Sequence, residues 1–205
     1  RVRKNWLACY QAHTGKTQWY RTASDDPDDK SDDIGFLAAP VPFNDTLLVP
    51  VTEGGTLWLY SLAREDGRTL WKVYLCDEPT GGCSPWSPVS IAVDGSDAYL
   101  VCGMGVVLAV DAASGSIHWV IRYDRDYSNK NLLNRGNMPN FPQPLNGWRE
   151  DLAVVHGRAL MVMASDSDTI VALNRQTGEM LWKTNRTEGG MAAEYCLGVV
   201  NDTLY

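Results

Sequence analysis

A nine-residue unit occurs four times in this chain, and it limits the fold more than any other feature. The copies are "QAHTGKTQW" ending at Trp19, "AREDGRTLW" ending at Trp71, "DAASGSIHW" ending at Trp119 and "NRQTGEMLW" ending at Trp182, and they align without a gap. Each has a glycine (Gly15, Gly67, Gly115, Gly178) four residues before its tryptophan, and a small residue (Cys9, Ser61, Ala109, Ala172) six residues before that glycine. The tryptophans lie 52, 48 and 63 residues apart. That spacing is near the unit length of four-stranded propeller blades and longer than helical or leucine-rich repeats give.

Between the units the chain reads as strands. Segments such as "DTLLVPV", "GTLWLYSL", "DAYLVCG", "VVLAVDA", "LAVVHGRALMVMA" and "TIVALNR" are short, rich in Val, Leu, Trp and Tyr, and bounded by Gly, Asp, Asn, Pro and Ser. No segment shows a convincing helical period. Regular short strands predict an all-β sandwich, barrel or propeller, and the repeat selects a β-propeller of four-stranded antiparallel blades. In the third unit, Asp111 can accept backbone N–H bonds, Ser114 can add another, and Gly115 can take the left-handed conformation that closes a hairpin. Trp119 then leaves the outer strand, where a broad ring can cover the seam between neighbouring sheets.

With 44% hydrophobic and 21% charged residues in 205, the chain can bury a core and has no bias toward disorder. No stretch approaches the ~20 apolar residues of a membrane span, and the first residues, "RVRKNWLACY", lack the apolar centre of a signal peptide. A net charge of -7 argues against a nucleic-acid partner, because phosphate neutralisation needs clustered Lys and Arg.

The five cysteines form no CxxC or CxxCH. Cys9 and Cys102 lie in strand-like runs and read as small buried hydrophobes. Cys76 and Cys83 flank the turn-rich "DEPTGG", so a disulfide between them and two free thiols are both open readings. His13, His118 and His156 are scattered and have no matching nucleophile. "GMGVV" at 103–107 precedes no helix and makes a poor phosphate loop. Asn44, Asn185 and Asn201 head sequons for glycosylation, a pattern that chance also produces. No catalytic or cofactor-binding set emerges, and no metal site.

The pattern small-x-Asp-x-x-Thr/Ser-Gly-x-x-x-Trp resembles the tryptophan-docking repeat of the PQQ-like (quinoprotein-type) β-propeller family, whose members include quinoprotein dehydrogenases and a non-enzymatic, BamB-like branch. Gln11, Ala63 and Asn174 replace the aspartate, and Asp66 replaces the hydroxyl residue. Those turns are expected to rest on the glycine and on packing. The resemblance implies seven or eight blades for closure, so residues 1–205 read as one partial propeller domain of about four blades. Residues 1–23 end one blade, 36–76, 86–123 and 149–184 form three more, and 195–205 begin another. The natural protein is therefore expected to be longer.

Two inserts, at 24–35 and 124–148, interrupt the pattern. The first contains "SDDPDDKSDD", with six Asp, which lacks EF-hand order and reads as a solvated acidic loop. The second is a long loop with Arg125, Arg135 and Trp148, next to Arg149, which could face a ligand or partner.

The resemblance implies two functions. The favoured one is a non-catalytic interaction scaffold for protein partners in the bacterial envelope, periplasmic or extracytoplasmic, with no cofactor and room for a lipid anchor outside this segment. The alternative is part of a PQQ-dependent dehydrogenase of alcohols or sugars, holding PQQ with Ca2+. The alcohol dehydrogenases of the family stack the quinone against a ring of adjacent disulfide-bonded cysteines, and this chain has no adjacent Cys pair.

Overall fold

A computed structural model describes residues 5–24, 34–77, 89–125, 152–188, 191–192 and 196–205. The chain divides into two compact units, Arg1–Glu78 with Ala112–Ser116, and Pro79–Asp111 with Ile117–Tyr205. The fold is all-β, of the β-propeller class, built from antiparallel blade sheets; among the described residues there is no helix.

In the first unit, β1 (Trp6–Tyr10) pairs with β2 (Thr17–Thr22). A larger sheet follows: β3 (Ile34–Phe36), β4 (Val41–Phe43), β5 (Thr46–Glu53), β6 (Thr56–Ala63) and β7 (Thr69–Asp77). Its order is β3-β5-β6-β7, and β4 also pairs with β5. The edge of this blade is thus one strand in two pieces, Phe36 opposite Val51 and Val41 opposite Leu48. Pro40 and Pro42 lie at the break and on its second piece, and proline, having no N–H to give a ladder, is confined to such edges. The Asn5 amide completes the ladder of β3, donating to Phe36 O at 2.7 Å and accepting from Phe36 N at 2.8 Å. Strands β5 and β6 are buried along most of their length, and Phe36, Val49, Val51, Tyr60 and Leu62 make the core.

The second unit holds two four-stranded sheets. One runs β11-β10-β9-β8, from β8 (Ser90–Asp94), β9 (Asp97–Val101), β10 (Val106–Asp111) and β11 (Ile117–Arg122). The other runs β12-β13-β14-β15, from β12 (Leu152–His156), β13 (Ala159–Met163), β14 (Thr169–Asn174) and β15 (Met180–Asn185). Two short pairs close the chain, β16 (Thr187–Glu188) with β17 (Met191–Ala192), and β18 (Val199–Val200) with β19 (Thr203–Leu204). Tyr99, Val101 and Val107 pack with Leu160, Val162 and Leu173 in one core.

The tetrapeptide "NDTL" occurs at 44–47 and 201–204, and both copies turn a hairpin, the first between β4 and β5, the second between β18 and β19. Asn44 (φ 51°) and Asn201 (φ 49°) take the left-handed conformation that Asn tolerates better than most residues. Two of the three sequon asparagines therefore have a structural task in tight turns.

Tyr99 is fully buried in the second unit's core, with its hydroxyl 3.2 Å from Asp97 Oδ2 and its ring 6.2 Å from that of Trp119. Burial first, and then the charge and hydrogen bond of Asp97, push its hydroxyl up to about 12 from 10.0. The folded state holds this proton more tightly than the unfolded chain. Its contribution is therefore complete below about pH 10 and lost as the pH rises toward 12. Ultraviolet titration of phenolate absorbance should show one tyrosine ionising well after the exposed ones, with unfolding accompanying it; replacement by Phe should remove that late step.

Candidate functional site

In every repeat the small residue stands directly opposite the tryptophan: Cys9 faces Trp19, Ser61 faces Trp71, Ala109 faces Trp119 and Ala172 faces Trp182. The strand register slips immediately after each small residue. Such a bulge re-aims the side chains around it, and a small partner leaves space for a ring that turns off the strand.

The turns repeat as well. Gly15, Gly67 and Gly178 each donate their N–H to the carbonyl four residues back, Gln11, Ala63 and Asn174, at 2.8 Å. The residue before the glycine accepts from the N–H two positions on: Thr14 from Lys16 at 3.2 Å, Ser114 from Ser116 at 3.3 Å, Thr177 from Glu179 at 3.3 Å. Asp66 makes the same bond, accepting from Arg68 N at 3.0 Å, and Asn174 Oδ1 accepts from Gln176 N at 2.9 Å. These two substitutions preserve the turn chemistry, where the sequence suggested glycine and packing alone; a carboxylate or amide oxygen can accept in place of a hydroxyl or aspartate.

Three of the four indoles lie on a glycine of the next repeat. Trp19 covers Gly67 and donates its indole N–H to Arg64 O at 3.0 Å. Trp71 covers Gly115 and donates to Ala113 O at 2.7 Å. Trp119 covers Gly178 and donates to Arg175 O at 3.0 Å. The approach is so close that a Cβ on Gly67, Gly115 or Gly178 would stand 2.8, 2.8 or 2.9 Å from the ring. All four repeat glycines have positive φ, from 68° at Gly15 to 76° at Gly115, so both their backbone and their bareness are used. Arg21 reinforces the first joint, its Nη1 donating to Gly67 O at 2.7 Å and Thr69 Oγ1 at 3.0 Å. The fourth tryptophan differs: Trp182 is 43% exposed, and Gly15 has no atom within 4 Å of the position its Cβ would take.

A second constellation lies in the second unit, where β11 leads toward the long insert. Asp166, in the loop between β13 and β14, accepts from the Tyr123 hydroxyl at 2.6 Å and Arg125 Nε at 2.5 Å. The Arg125 and Asp166 side chains are only 15% and 11% exposed. Tyr123 N donates to Gly105 O at 3.0 Å, and a Cβ on Gly105 would be 2.7 Å from Arg125 Cδ. Gly105, in the "GMGVV" segment, thus makes room for the arginine. Arg186, between β15 and β16, holds the same loop: it is 3% exposed and donates from Nη1 to Ala164 O at 3.2 Å and from its backbone N to Asp168 O at 2.7 Å. Sequence reasoning had flagged Arg125 but not Asp166 or Tyr123; the acidic "SDSD" at 165–168 between two strands was the available signal.

This cluster fixes chain rather than activating a group, since the carboxylate is matched by an arginine and a phenol. Asp166→Ala should lower the unfolding free energy by about 2 kcal/mol through loss of two bonds to a half-buried carboxylate, and Asp166→Asn by less, because the amide still accepts from Tyr123. Urea titration of the two variants measures the difference.

The other singled-out residues do not converge. His118, exposed, approaches the half-buried Asp97 at 3.4 Å, and His156 approaches Asp202 at 2.7 Å at exposed positions, while His13 lies in the exposed β1–β2 turn. Cys76 is half-buried on β7, and Cys83 lies outside the described residues, as do Arg135, Trp148, Arg149 and most of the acidic insert. Among the described residues no three His, Cys, Asp or Glu side chains are grouped to hold a metal ion. The indoles of Trp19, Trp71 and Trp119 are occupied by their turns, so they do not offer the open floor on which a planar quinone would stack.

Four-stranded antiparallel blades joined by this turn and this tryptophan define a β-propeller repeat protein of the PQQ-like class. The sequence profile of the family described as "Outer membrane protein assembly factor BamB" matches residues 3–139 and again 105–202, and the chain belongs to that family. Solved structures share the fold. The crystal structure of BamB from Moraxella catarrhalis matches with a TM-score of 0.53 at 16% identity, over 88% of this chain and 42% of that one. A europium-containing methanol dehydrogenase matches with a TM-score of 0.54 at 14% identity, over 88% and 38%. A quinohemoprotein alcohol dehydrogenase from Pseudomonas putida HK5 matches with a TM-score of 0.55 at 15% identity, over 88% and 31%. The chain spans less than half the length of each. No curated protein matches it in sequence.

Proposed function

We propose that this chain is a non-catalytic propeller scaffold of the bacterial envelope, periplasmic or extracytoplasmic, that presents loops on rigid blades to protein partners. The observation that carries this reading is the family match, over nearly the whole chain, to a profile described as an outer-membrane protein assembly factor. The local geometry supports it. The repeat tryptophans and glycines act as structural joints, and the Tyr123–Arg125–Asp166 cluster anchors the start of the long insert at a fixed place. A rigid scaffold carrying variable loops is the usual arrangement for recognition. Among the described residues no helix is long and apolar enough to cross a membrane.

The second reading, part of a PQQ-dependent dehydrogenase, is favoured by the likeness of fold to the methanol and alcohol dehydrogenases. Equilibrium titration with PQQ and Ca2+, followed by a dye-linked assay with small alcohols and aldoses, decides between them. The scaffold should show no saturable binding in the micromolar range and no substrate-dependent dye reduction. Tight binding with turnover would replace the first reading by the second.

A further inference from the structure

The larger sheet of the first unit gathers rings and charges on one face of β5, β6 and β7. Trp58 stands opposite Tyr74, and Tyr60 opposite Lys72. The Trp58 and Tyr74 rings meet edge to face, with centroids 5.7 Å apart and planes at 80°, and the Trp58 indole N–H donates to Thr56 Oγ1 at 2.7 Å, which fixes the indole. The Lys72 ammonium lies over two of the rings, 5.2 Å from the centroid of Trp58 and 5.5 Å from that of Tyr60, and 3.7 Å from Glu53 Oε2. Glu53 also accepts from the Tyr60 hydroxyl at 3.3 Å. Desolvation first, and then the hydrogen bond and charge of Asp77, raise the Tyr74 hydroxyl above its ordinary value of 10.0, so a second carboxylate stands beside the third ring. Rings and a carboxylate around an ammonium are the elements of an aromatic cage, which holds organic cations through the negative faces of its rings.

Neither the blade nor the lysine requires these rings. In the second unit's four-stranded sheets the same places hold Val106, Leu108, Val120 and Arg122, or Thr169, Val171, Lys183 and Asn185. Lys183 occupies the place of Lys72, yet it stands opposite Val171 and reaches a carboxylate, Asp124, at 3.2 Å. Lys72 is held by a flexible four-carbon stem, and its side chain is 42% exposed, so the ammonium can swing into water with the strand unmoved. Its departure leaves the rings with Glu53 and Asp77 and a net negative charge. We propose that Trp58, Tyr60, Tyr74 and Glu53 form a binding site for a small quaternary ammonium compound of the choline class, with Lys72 as the resident guest that the ligand displaces. A methylated ammonium is favoured because it is more weakly hydrated than the primary ammonium of a lysine and covers the rings with its methyl groups. The site is separate from the joints, since Trp71 turns to the other face of β7 and onto Gly115.

Isothermal titration with choline chloride tests this on the wild-type chain and on Lys72→Ala. Removing the guest should tighten binding about tenfold, from a Kd of about 10 mM to about 1 mM. Lys72→Thr, a better strand former, should do the same and guards against a fold lost in the alanine variant. On the Lys72→Ala background, Glu53→Gln and Tyr74→Leu should each weaken binding by about fivefold, and the uncharged tert-butyl isostere of choline should bind about tenfold more weakly than choline, because it has no charge for the rings or the carboxylate. Circular dichroism and thermal melts separate loss of the site from loss of fold. Choline binding that is no tighter in Lys72→Ala and Lys72→Thr than in the wild type overturns the proposal and leaves the rings as a seat for the chain's own lysine. So does binding that Glu53→Gln and Tyr74→Leu leave unchanged, or that the uncharged isostere matches.

Discussion

Gly178→Ala should destabilise the chain by about 2–5 kcal/mol, whereas Gly15→Ala should cost only about 1–2 kcal/mol, although the two glycines occupy the same place in the repeat. Their backbones are alike, φ 75° and 68°, so the left-handed penalty on an alanine is common to both. The difference lies above the Cα. A methyl on Gly178 would sit 2.9 Å from Trp119 Cδ2 and 3.1 Å from Ile121 Cγ2, and neither the ring nor the branched side chain can move aside like a flexible tip. A methyl on Gly15 meets nothing within 4 Å. Urea denaturation followed by circular dichroism measures both. Equal costs would mean that backbone strain alone governs the turn, and that the contact with the indole has no energetic weight.

Trp119→Ala should cost about 3 kcal/mol, the low end for large aromatic truncations because the ring is only partly buried. Three losses combine: the surface laid over Gly178, the tilted ring contact with Tyr99, and the N–H donated to Arg175 O, whose carbonyl must then find water. Trp182→Ala removes the same side chain from the equivalent place in its sheet, where the ring is 43% exposed and none of these partners stands among the described residues, and in this chain should cost less than about 1 kcal/mol. The pair of measurements separates the intrinsic preference of a tryptophan for an outer strand from the joint it makes. Near-equal losses would show that the contact to the glycine is incidental.

Much of this was legible in the sequence because it is local. Cys9, Ser61, Ala109 and Ala172 could be picked out as small residues before their register opposite the tryptophans was known, and their spacing to the glycine fixes that register across a tight turn. The turn glycines declared their backbone conformation by being glycines in front of a recurring Trp. Chemistry that depends on through-space partners was not legible. Asp66 and Asn174 looked like departures from the repeat, and only the placement of their oxygens shows them accepting the bonds a threonine or aspartate would. Arg125 and Asp166 are 41 residues apart, and no pattern along the chain says which acid an arginine at the mouth of an insert will meet. The break between β3 and β4 was hidden as well. Prolines warn of an edge but do not say that the strand resumes after it.

Trp19, Trp71 and Trp119 find their carbonyls 45, 42 and 56 residues further along the chain. Strand pairing within a blade is shorter still, since successive strands are antiparallel neighbours. Ordering can therefore advance in the direction of synthesis, each newly emerged turn capping the ring left open by the segment before it, as in arrays whose elements touch only their neighbours. A nascent chain stalled just past Trp119 would already hold two capped rings, with its third awaiting the turn that ends at Gly178.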